Sequence, residues 1–172
     1  MSEGQILYCI KAGVCFLKLS GAIRYTNNTG FEEFIEKLFL HEPPTSVLVD
    51  LSDTTSIDST NLGLLARIAR HTMDYSNHPP TLVSTNQDIT TLLLSIGFDD
   101  VFDLLTTSDA RNAGPGRLES VPAAEVSPTR QAASILSAHS ELIALNEKNR
   151  DVFQNIIDAL EADLHRHEGN TQ

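Results

Sequence analysis

The chain has 172 residues, of which 41% are hydrophobic, and a formal net charge of −11. That length suits one ordinary domain with an appendage, and the acidic balance argues against binding nucleic acid or anionic lipid. No apolar run is long enough to span a bilayer, and the start M-S-E-G-Q lacks the basic and apolar regions of a secretory signal, so the expectation is a cytoplasmic protein with no membrane part.

In chain order, Q-I-L-Y-C-I (5–10) and V-C-F-L-K-L-S (14–20) read as two strands of a hairpin separated by Lys11-Ala12-Gly13. Cys9 and Cys15 lie within these strands as small buried hydrophobes, with no spacing that suggests a disulfide framework or a metal site. Phe31, Phe34, Ile35, Leu38 and Phe39 recur at helical spacing, which predicts a helix over 29–40 capped by Thr29 and stopped by Pro43-Pro44. S-V-L-V-D-L (46–51) is almost continuously apolar or β-branched, the pattern of a strand covered on both faces. Leu62, Leu65, Ile68 and Ala69 mark a second helix to about residue 73. Next come the strand T-L-V-S, a helix over 87–96 capped by Asn86 and ended by Gly97, and a last short strand or turn near 101–103. Strands alternating with helices indicate a largely parallel sheet. The expected fold is therefore α/β, with a mixed four- to five-stranded sheet and helices mainly on one face.

The composition changes after this. Residues 109–129 hold three Pro and two Gly and few large apolar groups, which reads as a flexible linker between a domain over 1–108 and a helical extension over 130–172. In the extension an apolar stripe of Ile135, Leu142, Leu145, Val152, Phe153, Ile156, Leu160 and Leu164 is interrupted by Asn146 and Asn149. A short coiled coil, a helical hairpin and a helix docked on the domain all fit that stripe, and a soluble helix of this length calls for a partner surface, so self-association through it is one expectation.

The stretch I-D-S-T-N-L-G (57–63) sits where a strand gives way to a helix. Asp58, Ser59, Thr60 and Asn61 are all good capping residues and satisfy the free N–H groups of a first turn. The same position suits a phosphorylation switch: a phosphate on Ser59 or Thr60 meets free donors and the positive end of the helix dipole, and adds charge that disrupts a packed interface. Catalysis is not expected. Ser59 lacks the flanking glycines of a nucleophile elbow, no phosphate-cradling glycine loop is present, the six histidines form no zinc pattern, and Asp50, Asp53 and Asp58 lack the spacing of a calcium loop. No cofactor and no metal are expected.

V-L-V-D-L-S-x-x-x-x-I-D-S-T-x-L-G-L-L resembles the centre of the STAS domain, found in bacterial anti-sigma factor antagonists and in the tails of sulfate transporters. The segment I-G-F-D-D-V-F-D is similar to the family's closing segment, and the resemblance covers residues 5–107. It implies a phosphoacceptor at Ser59, with Thr60 as the runner-up, and a partner-binding surface at Asp58, Ser59, Thr60 and Asn61. The implied function is that of an anti-sigma factor antagonist in a serine kinase/phosphatase partner-switching pathway, with an anti-sigma factor or a kinase/phosphatase response regulator as partner. The added C-terminal extension resembles a subgroup tied to motility, surface attachment or biofilm regulation. A non-phosphorylated STAS scaffold or ligand-sensing module is the alternative. Asn61 departs from the family's usual Gly, which bears on partner fit at that spot.

Overall fold

Strand β1 (Gln5–Lys11) pairs antiparallel with β2 (Val14–Ile23), Lys11 opposite Val14. Only Ala12 and Gly13 lie between them, with φ of 54° and 80°. Both are left-handed, as a two-residue turn matched to strand twist requires. Ala12 adopts this conformation against its steric preference, so Ala12→Asn is expected to raise stability by about 1 kcal/mol, read as a higher urea midpoint at unchanged m. The structure, a computed structural model, describes residues 3–107 and 116–169. The boundary expected at 108/109 and the first part of the expected linker, 109–115, lie outside the described residues.

A 3-10 turn at Tyr25–Asn27 and helix α1 (Phe31–Leu40) follow, then β3 (Ser46–Ile57), helix α2 (Ser59–Tyr75), β4 (Thr81–Val83), α3 (Gln87–Ser95), a second 3-10 turn at Phe98–Asp100 and β5 (Asp103–Leu105). β2, β3, β4 and β5 run parallel, and β1 is antiparallel to β2. The pairing places Cys15 beside Val47 and Leu17 beside Val49. These four side chains, with Leu19 and Leu51, are buried in one core with Phe31 and Ile35 of α1, Leu65 and Ile68 of α2, and Leu93 of α3. The neighbouring positions point the other way: Leu48 is only half-buried, and Lys18 forms an ion pair with Asp53 at 3.0 Å. The helices thus cover one face of the sheet. Cys15 is fully buried there, and burial pushes its thiol up to about 12, which keeps it protonated and unreactive.

Several local details differ from expectation. Thr29 does not cap α1; its hydroxyl donates to the Ala124 carbonyl at 2.7 Å, and Gly30 takes the cap position. The last strand starts at Asp103, after the second 3-10 turn, because Asp103 N–H pairs with the Pro80 carbonyl (2.9 Å) once Gly97, at φ 83°, has reversed the chain. β3 runs six residues past the apolar segment, to Ile57. β4 pairs only with Leu48–Asp50, so beyond that β3 has β2 alone as a neighbour, and polar residues such as Asp53 and Ser56 are tolerated there.

A sixth strand exceeds the four to five expected. β6 (Glu119–Ser120) pairs antiparallel with the outer edge of β1, giving the order β5-β4-β3-β2-β1-β6. It lies in the Pro- and Gly-rich segment and carries almost no strand signal of its own. It forms because β1 offers unpaired backbone groups at an edge. Val121 N–H bonds Ile6 O at 3.0 Å, and the Tyr8 hydroxyl donates to Glu119 at 3.2 Å. The chain then passes so close to Gly30 that a Cβ there would sit 1.7 Å from the Pro122 carbonyl oxygen.

The extension is a helical hairpin docked on the domain. α4 (Pro128–Leu145) is capped by Ser127 with Pro in its first turn, and α5 (Lys148–Gly169) follows at once. The two Asn residues that break the apolar stripe build the corner. Asn146 Oδ1 accepts from Lys148 N–H at 2.9 Å. Buried Asn149 donates to the Leu142 carbonyl (2.7 Å) and across to the Ile96 carbonyl (3.1 Å), tying the hairpin to the end of α3. Leu142 and Phe153 join the domain core.

Candidate functional site

The chain leaves the sheet where Ile57 pairs with Ile23, and turns directly into α2. Asp58 makes that turn. Its backbone is extended (φ −80°, ψ 164°) and its N–H donates to Ile23 O at 3.0 Å. One carboxylate oxygen accepts from Asn61 N–H (2.9 Å) and from the Asn61 side-chain amide (2.8 Å); the other accepts from Tyr25 N–H (2.7 Å). Of the four candidate caps, Asp58 is the one used. Both its oxygens face Asn61 and Tyr25, so Asp58 braces α2 against the end of β2 rather than orienting the neighbouring hydroxyl.

Ser59 is the first residue of α2 and is half-buried rather than exposed. Its Oγ lies 2.8 Å from Nε2 of His139 on α4. The other ring nitrogen of His139 lies 2.7 Å from the Ile135 carbonyl oxygen, which can only accept, so Nδ1 carries a proton. In the neutral ring Nε2 then accepts from the Ser59 hydroxyl. Phe153 of α5 sets its ring edge-on to the imidazole at 5.4 Å.

Thr60 is buried, at 6% exposure, and Asn61 is fully buried. The structure therefore brings Asp58 to Asn61 together in one turn but turns Ser59 alone toward α4. Asn61 Oδ1 is without a hydrogen-bond partner. The hydrogen bond that the Asn61 side-chain amide donates to Asp58 gives this residue a local use: the side chain supplies a second donor to the cap.

Further along α2, Gly63 marks where α4 crosses. A Cβ at Gly63 would lie 2.1 Å from the Ala138 carbonyl oxygen and 2.8 Å from its Cα, so only a residue without a side chain admits α4 at this distance. One turn on, the buried Arg67 donates to Glu32 of α1 at 2.9 Å and to Ser137 of α4 at 2.7 Å, with Glu141 at 3.5 Å. Arg70 grips Glu141 through Nε (3.1 Å) and Nη2 (2.6 Å), and that hydrogen-bonded carboxylate raises the arginine's pKa above its ordinary value. His71, its ring tilted against Phe39 at 5.0 Å, is shifted down by burial and, secondarily, by Arg70.

His139, Ala138 and Glu141 were not among the residues the sequence pointed to. Of the apolar stripe in α4, Leu142 is fully buried but Ile135 and Leu145 are only half-buried, and the other buried residues of the helix are Ser134, Ala138 and His139. Small and polar residues line the contact because α4 packs on a glycine and an arginine, and hydrophobic periodicity does not register such a face. Among the described residues, no three His, Cys, Asp or Glu side chains converge as a metal-binding set, and no helix is long and apolar enough to cross a membrane.

The fold is similar to that of an anti-sigma factor antagonist from Mycobacterium paratuberculosis (22% identity, 64% of this chain and 93% of the other, TM-score 0.53). It is also similar to a Thermotoga maritima protein assigned as an anti-sigma factor antagonist (25% identity, 62% and 91%, TM-score 0.52). A third similar structure is the Bacillus cell fate determinant SpoIIAA in its phosphorylated form (12% identity, 64% and 98%, TM-score 0.50). Among curated proteins no relative matches the chain. The sequence model of the STAS domain matches residues 6–111, more than half of the chain, and with the sheet order and helix placement above it establishes that the chain belongs to the STAS domain family.

Proposed function

We propose that the chain is a phosphorylation-controlled protein-binding module, not an enzyme, acting as an anti-sigma factor antagonist in a partner-switching pathway. Ser59 is the phosphoacceptor, and the turn Asp58, Ser59, Thr60, Asn61 with the adjoining face of α2 is the partner-binding surface. Residues 1–108 carry that surface, and α4 and α5 are a helical extension packed on it. The partner is an anti-sigma factor or a serine kinase/phosphatase response regulator, and the setting is the cytoplasm. The observation that carries this reading is the place of Ser59: it stands on the first residue of a 17-residue helix, at the positive end of the dipole. Thr60 is the runner-up acceptor, and its burial makes it the poorer substrate. The family membership and the antagonist neighbours support the same reading.

One observation favours the alternative of a non-phosphorylated scaffold or ligand-sensing module: the Ser59 hydroxyl is already engaged by His139. Incubating wild-type, Ser59→Ala and Thr60→Ala proteins with candidate serine kinases and ATP, followed by phosphopeptide mapping, separates the two. Phosphate on wild-type and Thr60→Ala but not on Ser59→Ala is the expected result, with Ser59→Asp weakening partner capture. Absence of phosphate from every form, with Ser59→Asp binding as wild-type does, would establish the scaffold reading instead.

A further inference from the structure

We propose that α4 is an internal competitor for the partner of this module: it lies on the α2 face, covers Ser59, and must leave before a kinase or a partner helix can engage. The proposal rests on the reading of Ser59 and α2 given above. Three contacts carry it. The half-buried Ser59 hydroxyl is in hydrogen-bond contact with His139, so a phosphoryl group on Oγ must displace that contact, and the seated α4 stands beside the hydroxyl that a kinase has to reach. The backbone of Ala138 rests on Gly63. Glu141 and Ser137 take up the two arginines of α2.

The same contacts describe the partner. What fits the α2 face is an amphipathic helix with a small residue over Gly63, a carboxylate three residues later for Arg67 and Arg70, and an aliphatic residue one further on, as Ala138, Glu141 and Leu142 stand in α4. A protein helix with this chemistry competes with α4 for one surface. Its apparent affinity is then reduced by the fraction of chains in which α4 is seated. The seated helix slows phosphorylation of Ser59, and phosphate once on Ser59 disfavours the seated helix. The extension thus sets a threshold on both events.

The test uses the full chain and no kinase or partner. Ser59→Cys places a thiol at the covered position, and its reaction with 5,5′-dithiobis(2-nitrobenzoate), mapped by peptide mass to separate it from Cys9 and Cys15, reports how often α4 lifts. In the otherwise native chain the introduced thiol is expected to react slowly. Adding Ala138→Arg, which cannot pack on Gly63, is expected to speed it by about tenfold or more. A synthetic peptide of residues 128–145 added in trans should restore slow reaction, and the same peptide carrying Glu141→Ala should not. Gly63→Ala is the second variant, with the smallest change that blocks seating, and it favours the helix itself. Equal reactivity in all backgrounds overturns the proposal. So does loss of cooperative unfolding in both Ala138→Arg and Gly63→Ala, because α4 would then be a fixed part of the domain. Failure here leaves the phosphoacceptor reading standing, and failure of the kinase assay leaves the thiol result intact.

Discussion

Arg67→Ala is expected to lower the unfolding free energy by about 3 kcal/mol, measured as a fall in the urea midpoint at unchanged m. Arg67 is buried on α2 and joins three helices: Glu32 of α1 at 2.9 Å, Ser137 of α4 at 2.7 Å and Glu141 of α4 at 3.5 Å. Removing the guanidinium leaves Glu32, largely withdrawn from water, without its cation, while Glu141 keeps Arg70. The penalty therefore lies mainly in the uncompensated charge of Glu32 and not in the lost attraction. Arg67→Lys retains the charge but not the fork that serves separate acceptors, and falls between the two. Raising the salt concentration should change the Arg67→Ala deficit little, because buried charges are poorly screened, whereas it should weaken the more exposed Arg70–Glu141 pair. A deficit below about 1 kcal/mol would place Arg67 among ordinary surface pairs and would remove the charge argument for α4 on α2.

Phe153→Ala is expected to cost about 3–4 kcal/mol, although it lies outside the segment that the STAS model matches. Phe153 is 6% exposed, belongs to the same buried cluster as Leu65 and Ile68 of α2, and holds the His139 ring edge-on. Truncation removes a large aromatic and opens a cavity beneath α4 and α5. Val152→Ala on the same helix, at a position 63% exposed, should stay within about 0.5 kcal/mol of wild-type. One cooperative transition, shifted by the Phe153 substitution as a whole, is the expected form of the result. Two transitions, with only the minor one shifted, would mean that the hairpin melts independently of the domain.

The domain core was legible because hydrophobic period and local turn chemistry are properties of neighbouring residues. The apolar segment 46–51, the stripe of α1, the Asn86 cap and the left-handed Gly97 each needed only a short window. The site's place was legible for the same reason: D-S-T-N after a strand marks a helix start, whatever lies elsewhere in the chain. The resemblance to STAS domains added the expectation of a phosphoacceptor at Ser59.

What the sequence did not disclose depends on distant surfaces. Asp58 is the cap, rather than Ser59 or Thr60, because Tyr25 N–H arrives from the end of β2 to hold its second oxygen. Ser120 and Glu119 are a strand because β1 has an open edge, not because their own residue types favour extension. Asn146 and Asn149 look like flaws in one long apolar stripe, but in the fold they are the corner of a hairpin, and Asn149 finds its acceptor at Ile96. Above all, the contact of His139 with Ser59 joins residues 80 positions apart. It is set by Gly63, whose missing side chain lets one backbone approach another, and by two arginines awaiting a carboxylate. Neither leaves a periodic trace. The sequence by itself determined the core elements and the helix start at Asp58; tertiary packing alone decided what stands over the Ser59 hydroxyl, because close approach and charge pairing are settled between surfaces and not along the chain.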